Sequence, residues 1–208
     1  QQPMVEDAAR FRSVDAMLGL SMDYSLEPVV LHTAVANLDR VLHTSHHGMV
    51  GTTDVWRCGV VCMCIADKYH ADEYSGVQWF CHFATMPPSD FAQLEGRVLE
   101  LLDWRVDPRT PWSILVGRIR RRPSALFAQE SIDRACTLAT ILLLSRVEMS
   151  PMRVATHLHQ TVLDAEKVSD EDHASVLAWL NKAIRRGGTP ESKHAMRHLG
   201  TCWPPPFR

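Results

Sequence analysis

The sequence predicts an all-α protein in which five helices are followed by further helices. Apolar residues recur at helical spacing through most of the chain. Strand signals are weak, because the sequence has no Asn-Gly or Asp-Gly hairpin turn and no sustained alternation of apolar and polar residues. The length of 208 residues, with 46% hydrophobic content, suits one domain or two small helical units that share a core.

The first three helices are predicted from apolar periodicity and from one proline. The first helix spans about residues 5–22, and the second runs from Pro28 to Leu42, since proline is tolerated in a first helical turn. A loop at residues 46–48 precedes the third helix, at about residues 53–69. That helix is apolar on nearly every side, which is typical of a helix at the centre of a bundle.

Two more helices complete the first group. The fourth is short and spans about residues 76–84. The fifth follows the pair Pro87 and Pro88, with Ser89 as its predicted N-cap residue, and continues to Leu102. Its apolar side chains form a single stripe, which indicates that one face packs against the other helices.

Two prolines, Pro108 and Pro111, mark the clearest boundary in the chain and predict a first domain at residues 1–110 and a helical region at 111–208. Four or five helices are expected in the second region. The predicted segments are 129–147, 152–166 and one that opens at Ser169 and continues through Ile184.

Composition disfavours several classes of protein. The net charge of −2 gives no broad basic surface for nucleic acid, and the one dense basic cluster is residues 118–122. No apolar run reaches 18 residues and no signal-peptide pattern opens the chain, so we expect no membrane partner. The six cysteines lie mostly within apolar helical patterns, which favours a reducing compartment, the cytoplasm or nucleus or both.

Three segments in this order resemble the cyclin box, a five-helix module. Residues 31–40 read Leu-His-Thr-Ala-Val-Ala-Asn-Leu-Asp-Arg, similar to the family pattern Leu-His-x-Ala-Val-x-x-x-Asp-Arg. Residues 65–69 read Ile-Ala-Asp-Lys-Tyr, similar to Ile-Ala-Ser-Lys followed by Tyr or Phe. Residues 95–106 carry Glu-x-x-Val-Leu-x-x-Leu-x-Trp-x-Val, also close to the family pattern. The resemblance implies a cyclin box at residues 1–110, followed by a shortened or degenerate second helical repeat.

Two shorter segments resemble the single-box P-type (phosphate-signalling) cyclins. These are Val55-Trp56-Arg57 at the start of the third helix and Asp72-Glu73-Tyr74 after its end. A divergent viral or D-type-like cyclin is the alternative subfamily.

The resemblance implies a regulatory subunit that binds and activates a cyclin-dependent protein kinase and has no catalytic residues, cofactor or metal of its own. In the family, the positions of Lys68 and Glu95 form a pair that contacts kinase backbone groups. An ammonium and a carboxylate at the ends of two packed helices can orient each other and then bond a partner. The positions expected to add apolar contacts are Tyr69, Leu99, Trp104 and Val106. A simple core position is the alternative for Leu99 and Trp104.

Two further positions have an implied structural role. The resemblance places Arg10 and Asp39 in a mostly buried pair that braces the first helix against the second. The first helix departs from the mitotic and S-phase cyclins, because Ala9, Ser13 and Ala16 replace larger apolar residues of the substrate-docking groove. We therefore expect that mode of substrate recruitment to be absent.

Other functions are less well supported by the residues. A cyclin-fold transcription or nucleic-acid complex is the runner-up, because residues 118–122 are basic. A metal-dependent enzyme is third. The thiols of Cys58 and Cys62 lie one helical turn apart whereas Cys64 faces elsewhere, and His194 with His198 lacks the glutamate of a metalloprotease motif.

Overall fold

The structure, a computed structural model, gives the bounds of seven helices. The described residues are 2–44, 52–121, 139, 140, 143 and 151–159. The helices are α1 (Gln2–Asp23), α2 (Pro28–Thr44), α3 (Thr52–His70), α4 (Val77–Ala84), α5 (Pro88–Leu101), α6 (Pro111–Arg120) and α7 (Pro151–Leu158). No strand occurs in these ranges. The all-α prediction is confirmed.

Helix α3 is the centre of the first group, since it packs against α1, α2, α4 and α5. Its run from Val60 to Ala66 is buried throughout. Gly59 permits the close approach of its neighbours, because a Cβ atom there would lie 2.9 Å from the Met17 sulfur of α1 and 3.6 Å from Leu38 of α2. The sequence predicted a buried central helix because this segment is apolar on nearly every side, and the structure confirms it.

Prolines and a capping residue set the helix starts. Pro28 begins α2, as expected, and Pro88 begins α5. The prediction of Ser89 as N-cap is wrong: Pro87 occupies that position, and Ser89 lies inside the helix, where its hydroxyl donates to Asp90 at 3.1 Å. Proline favours the first helical position because an N–H there would have no partner within the helix, so its absence costs nothing, and because the φ of proline is already helical.

The chain divides into two compact units, residues 1–108 and 109–208. In the second unit, Thr110 and Ser113 form a reciprocal capping box at the start of α6, and α6 packs against α7. The predicted helix at 152–166 is described from Pro151 to Leu158. Three predicted features lie outside the described residues: the loop at 46–48, most of the helix at 129–147 and the helix opening at Ser169.

Candidate functional site

The Lys68 and Glu95 side chains form an ion pair between the end of α3 and the middle of α5. Lys68 Nζ donates to Glu95 Oε1 at 2.5 Å. The lysine side chain is 39% exposed and the carboxylate is 16% exposed. The pair is therefore oriented by two packed helices while the ammonium still faces solvent, where a partner's acceptor can reach it.

The loop that follows α3 holds Lys68 from the other side. The ammonium lies 5.7 Å from the centre of the Tyr74 ring, within cation–π range. The Tyr74 hydroxyl is 3.3 Å from the Cys64 sulfur, and the Asp67 carboxylate accepts the Ser75 N–H at 2.9 Å. These contacts fix the loop against α3, so the position of Lys68 depends on more than its pairing with Glu95.

The end of α3 is also tied to the segment that follows α5. His70 Nε2 lies 3.0 Å from the Thr33 hydroxyl of α2 and 3.6 Å from the Asp107 carboxylate. The neighbouring Tyr69 ring meets the His70 ring edge-on and remains 57% exposed. Tyr69 is therefore an aromatic side chain on the surface, beside the Lys68–Glu95 pair.

Trp104 lies on the surface in a tight turn after α5. Its side chain is 68% exposed, so the alternative of a core position is wrong. Asp103 and Trp104 have φ values of 53° and 58°, in the left-handed region that residues other than glycine rarely adopt. The turn is capped from within, since the Trp104 N–H donates to the Leu99 carbonyl at 3.0 Å.

Two residues of α2 hold the backbone of this turn. The Arg40 guanidinium donates to the carbonyls of Leu102, at 2.9 Å, and of Arg105. The Asn37 amide, which is fully buried, donates to the Val106 carbonyl at 2.8 Å and accepts from Arg40 at 3.2 Å. The side chains of Leu99 and Val106 are half-buried, so neither is a full core residue. The turn is therefore anchored to α2 at three carbonyls.

A second ion pair joins α1 to α2. Arg10 Nε lies 2.5 Å from Asp39 Oδ1, and its second guanidinium nitrogen donates to Oδ2 at 2.9 Å. The arginine side chain is only 4% exposed. This bidentate geometry is the strong form of an Arg–carboxylate pair. The structure brings the two predicted residues together at the junction of the two helices.

The first helix shows small side chains at the three positions of the docking groove. Ala9 and Ser13 are buried, and Ala16 is exposed. None of the three presents a large apolar surface, because their side chains hold no more than a methyl or hydroxymethyl group. The expectation that this groove is absent stays a prediction.

The described cysteine thiols are buried and unpaired in disulfides: Cys58, Cys62, Cys64 and Cys81. Burial raises the pKa of the Cys58 and Cys64 thiols to about 11, so both remain protonated at neutral pH. No group of three or more His, Cys, Asp or Glu side chains in the described ranges could hold a metal ion. His194 and His198 lie outside those ranges.

The basic cluster at residues 118–122 lies at the end of α6. Arg118 and Arg120 belong to the last helical turn, where cations interact favourably with the helix dipole. The Arg118 guanidinium contacts the Met152 sulfur of α7 at 3.3 Å. Arg122 lies outside the described residues.

In the part of the chain that is described, no helix is long and apolar enough to cross a membrane.

Sequence reasoning assigned no role to three residues that shape this site: Asn37, Arg40 and Asp67. A signal was present for Asn37 and Arg40, since polar residues three positions apart on an otherwise buried helix need partners. Asp67 stands where the quoted family pattern has serine, and a buried carboxylate also requires donors.

Comparison with known proteins identifies a matching family and a similar solved structure. The model of the cyclin N-terminal domain matches residues 1–107. The X-ray structure of a viral cyclin from herpesvirus saimiri is similar, with 17% sequence identity and a TM-score of 0.64, over 94% of this chain and 86% of that chain. At this identity the likeness shows the fold alone. The curated protein sequences contain no match.

Proposed function

The chain belongs to the cyclin family, and we propose that it binds a cyclin-dependent protein kinase and shifts that kinase toward its active conformation. The chain itself performs no catalysis. Its action is that of a ligand with higher affinity for the active state than for the inactive one. Activation would consist of moving the kinase αC helix inward, so that the helix glutamate pairs with the lysine that orients ATP.

The Lys68–Glu95 pair is the observation that carries this proposal. Its atoms lie 2.5 Å apart where α3 and α5 meet, and the ammonium is partly exposed. Of the three donor hydrogens on Lys68, one serves Glu95, so the others are available to carbonyl groups of a docked backbone. The carboxylate likewise retains acceptor capacity for a backbone N–H. A pair of this kind can bond both C=O and N–H groups of a partner's backbone, and such groups are left unpaired at the end of a helix.

Two exposed aromatic side chains supply the aromatic contacts that the resemblance to the family implies for this interface. Trp104 and Tyr69 are 68% and 57% exposed, and aromatic residues of these types dominate the energetics of protein interfaces. Half-buried Leu99 and Val106 would add apolar contact at its centre. Because docking would cover the aromatic rings and desolvate the ion pair, both contributions would reach their full strength only in the complex.

The second unit would complete the regulatory subunit. We infer that residues 111–208 form part of a second helical repeat, as in a degenerate cyclin fold. The viral cyclin supports this, because a match over 94% of the chain includes most of that region. The four described cysteines form no disulfide, which fits a reducing compartment, the cytoplasm or nucleus.

The test is binding to a panel of purified monomeric cyclin-dependent kinases, followed by kinase activity assays. We expect Lys68→Ala and Glu95→Ala to weaken binding by ~2–5 kcal/mol, because each leaves buried polar groups unpaired in the complex. The matched control is Arg57→Ala on the same helix, whose side chain is 38% exposed and pairs only loosely with Asp54 at 3.9 Å.

The control should bind like wild type. Circular dichroism must show that all three variants retain their helices. Folded Lys68→Ala and Glu95→Ala proteins that bind and activate as wild type does would contradict the assignment of this surface. Wild-type protein that binds no member of the panel, but binds DNA in a salt-dependent way, would favour the nucleic-acid alternative.

A further inference from the structure

We propose that Arg40 and Asn37 of α2 are positioning residues that hold Trp104 ready for the kinase. This inference rests on the proposed function, and it adds two residues that would not touch the kinase themselves. Both act on the backbone of residues 102–106, which we call the tryptophan turn.

The conformation of the tryptophan turn is not one that its own residues favour. Two successive residues other than glycine, Asp103 and Trp104, have positive φ values of 53° and 58°. Aspartate tolerates this region better than most residues, but tryptophan does not, and strain of this kind persists only where the surroundings impose it. Backbone bonds such as that from the Trp104 N–H to the Leu99 carbonyl hold the turn in part, and contacts from outside the turn add to them.

The α2 side chains supply that restraint from both sides of the strained pair. Arg40 bonds the Leu102 carbonyl before the pair and the Arg105 carbonyl after it. Asn37 bonds the next carbonyl, that of Val106, at 2.8 Å. One planar guanidinium that spans the two ends fixes the distance between them, which a single flexible contact could not do.

Solvation alone does not explain these bonds. Leu102 is buried, so its carbonyl needs a protein donor, but the Arg105 carbonyl belongs to an exposed residue and can accept from water. The bonds instead select one backbone conformation. A large aromatic side chain whose backbone is already fixed in the conformation needed for docking loses less backbone entropy when it binds. Trp104 is the side chain that this arrangement presents.

The first test does not require a kinase. Hydrogen exchange of backbone amides is measured by NMR in wild type, Arg40→Gln and the control Arg57→Gln. We expect exchange at residues 103–105 to accelerate roughly tenfold in Arg40→Gln, while amides at the centre of α3 keep their rates. The control should leave both regions unchanged. Unchanged exchange at residues 103–105 in Arg40→Gln would overturn the proposal.

The second test asks whether the restraint acts through Trp104. Binding to the panel kinase with the highest affinity for wild type is measured for Arg40→Gln, Trp104→Ala and the double variant. We expect Arg40→Gln to weaken binding roughly tenfold in wild type and less than about twofold in the Trp104→Ala background. Arg40→Lys, which can reach one carbonyl but cannot span both, should fall between wild type and Arg40→Gln.

Equal losses in the two backgrounds would show that Arg40 does not act through Trp104 and would overturn the proposal. A panel in which wild type binds no kinase overturns the proposed function, and with it the role of the tryptophan turn in kinase binding. In that case the exchange rates still decide whether α2 restrains the turn, so the two failures can be told apart.

Discussion

The Arg10–Asp39 and Lys68–Glu95 pairs have the same shortest nitrogen–oxygen distance, 2.5 Å, in very different surroundings. The Arg10 side chain is almost fully enclosed between α1 and α2, whereas the Lys68 side chain is more than one-third exposed. The carboxylates show the opposite order, because Asp39 is 34% exposed and Glu95 is 16% exposed. The cost of breaking each pair therefore depends on which partner remains, since an enclosed charge left alone is costly and an exposed one is solvated by water. The distance between the charges is the same in both pairs, and it is therefore the burial of each side chain that determines how much the pair contributes to stability.

The largest difference is expected in stability. Arg10→Ala should lower the free energy of unfolding by ~2–4 kcal/mol, because it removes the packing of an almost fully enclosed side chain together with its two bonds to Asp39. Urea unfolding followed by circular dichroism measures this change. Arg57→Ala, which removes a more exposed arginine, is the control and should cost less than about 1 kcal/mol. An Arg10→Ala protein as stable as that control would remove the distinction between the pairs.

Exchanging the charges of the exposed pair sharpens the comparison. In the double variant Lys68→Glu with Glu95→Lys, opposite charges still face each other, so stability should return to near that of wild type after the loss caused by Lys68→Glu alone. Kinase affinity should not return. It should remain ~2–5 kcal/mol weaker than in wild type, because each partner group then meets a charge of the wrong sign. Wild-type affinity in the exchanged variant would show that the pair serves only α3 and α5.

A buried histidine extends the comparison to pH. Burial lowers the pKa of His32 from 6.5 to about 3, so the folded chain keeps it neutral. As the pH falls below 6.5, His32 gains a proton in the unfolded chain but not in the folded chain, and this favours unfolding. The contribution of His32 to the free energy of unfolding is therefore fully present above pH 6.5 and falls by ~1.4 kcal/mol per pH unit toward pH 3. At pH 5 the loss is about 2 kcal/mol.

The measurement for His32 is urea unfolding at pH 7 and pH 5, for wild type and His32→Gln. The variant should lose less stability between the two pH values than wild type does, whatever its stability at pH 7. Identical pH dependence in both proteins would show that His32 is not buried as described.

The smallest expected effect concerns salt. Lys68→Ala should change the free energy of unfolding by no more than ~1 kcal/mol, and that difference should shrink further in 1 M NaCl, where charges are screened over about 3 Å. The cost of Arg10→Ala should depend less on salt, since the Arg10 guanidinium is only 4% exposed and much of the cost is lost packing. An Arg10→Ala cost that shrinks in salt as much as the Lys68→Ala cost would contradict this difference between the pairs.

The helices were predictable because apolar periodicity reports burial directly. The central position of α3 follows from its nearly uniform apolar sequence, and Gly59 fits the close contact with α1. The start of α5 was misassigned because two signals competed there. Ser89 is a good capping residue, but Pro88 prefers the first helical position more strongly, and this moves the cap back to Pro87.

The tryptophan turn could not be predicted from local sequence. Asp103 and Trp104 do not resemble a left-handed turn, since neither is glycine or asparagine. Their conformation depends on Asn37 and Arg40, which lie more than 60 positions earlier in the chain. The resemblance to the family implied a kinase contact at Trp104, and that contact stays a prediction. The means by which the fold presents this side chain became visible only in three dimensions.

The exposure of the Trp104 ring has a consequence for the abundance of the protein in a cell. A chain without a partner gains no stability from the burial of this ring, and lower stability raises the unfolded fraction that proteases remove. A partner that covers the ring stabilises the folded chain by ~2.7 kcal/mol when the partner is present at 100 times its dissociation constant. If the kinase is that partner, the amount of free chain is limited by the amount of kinase, and unassembled copies are the first to be degraded.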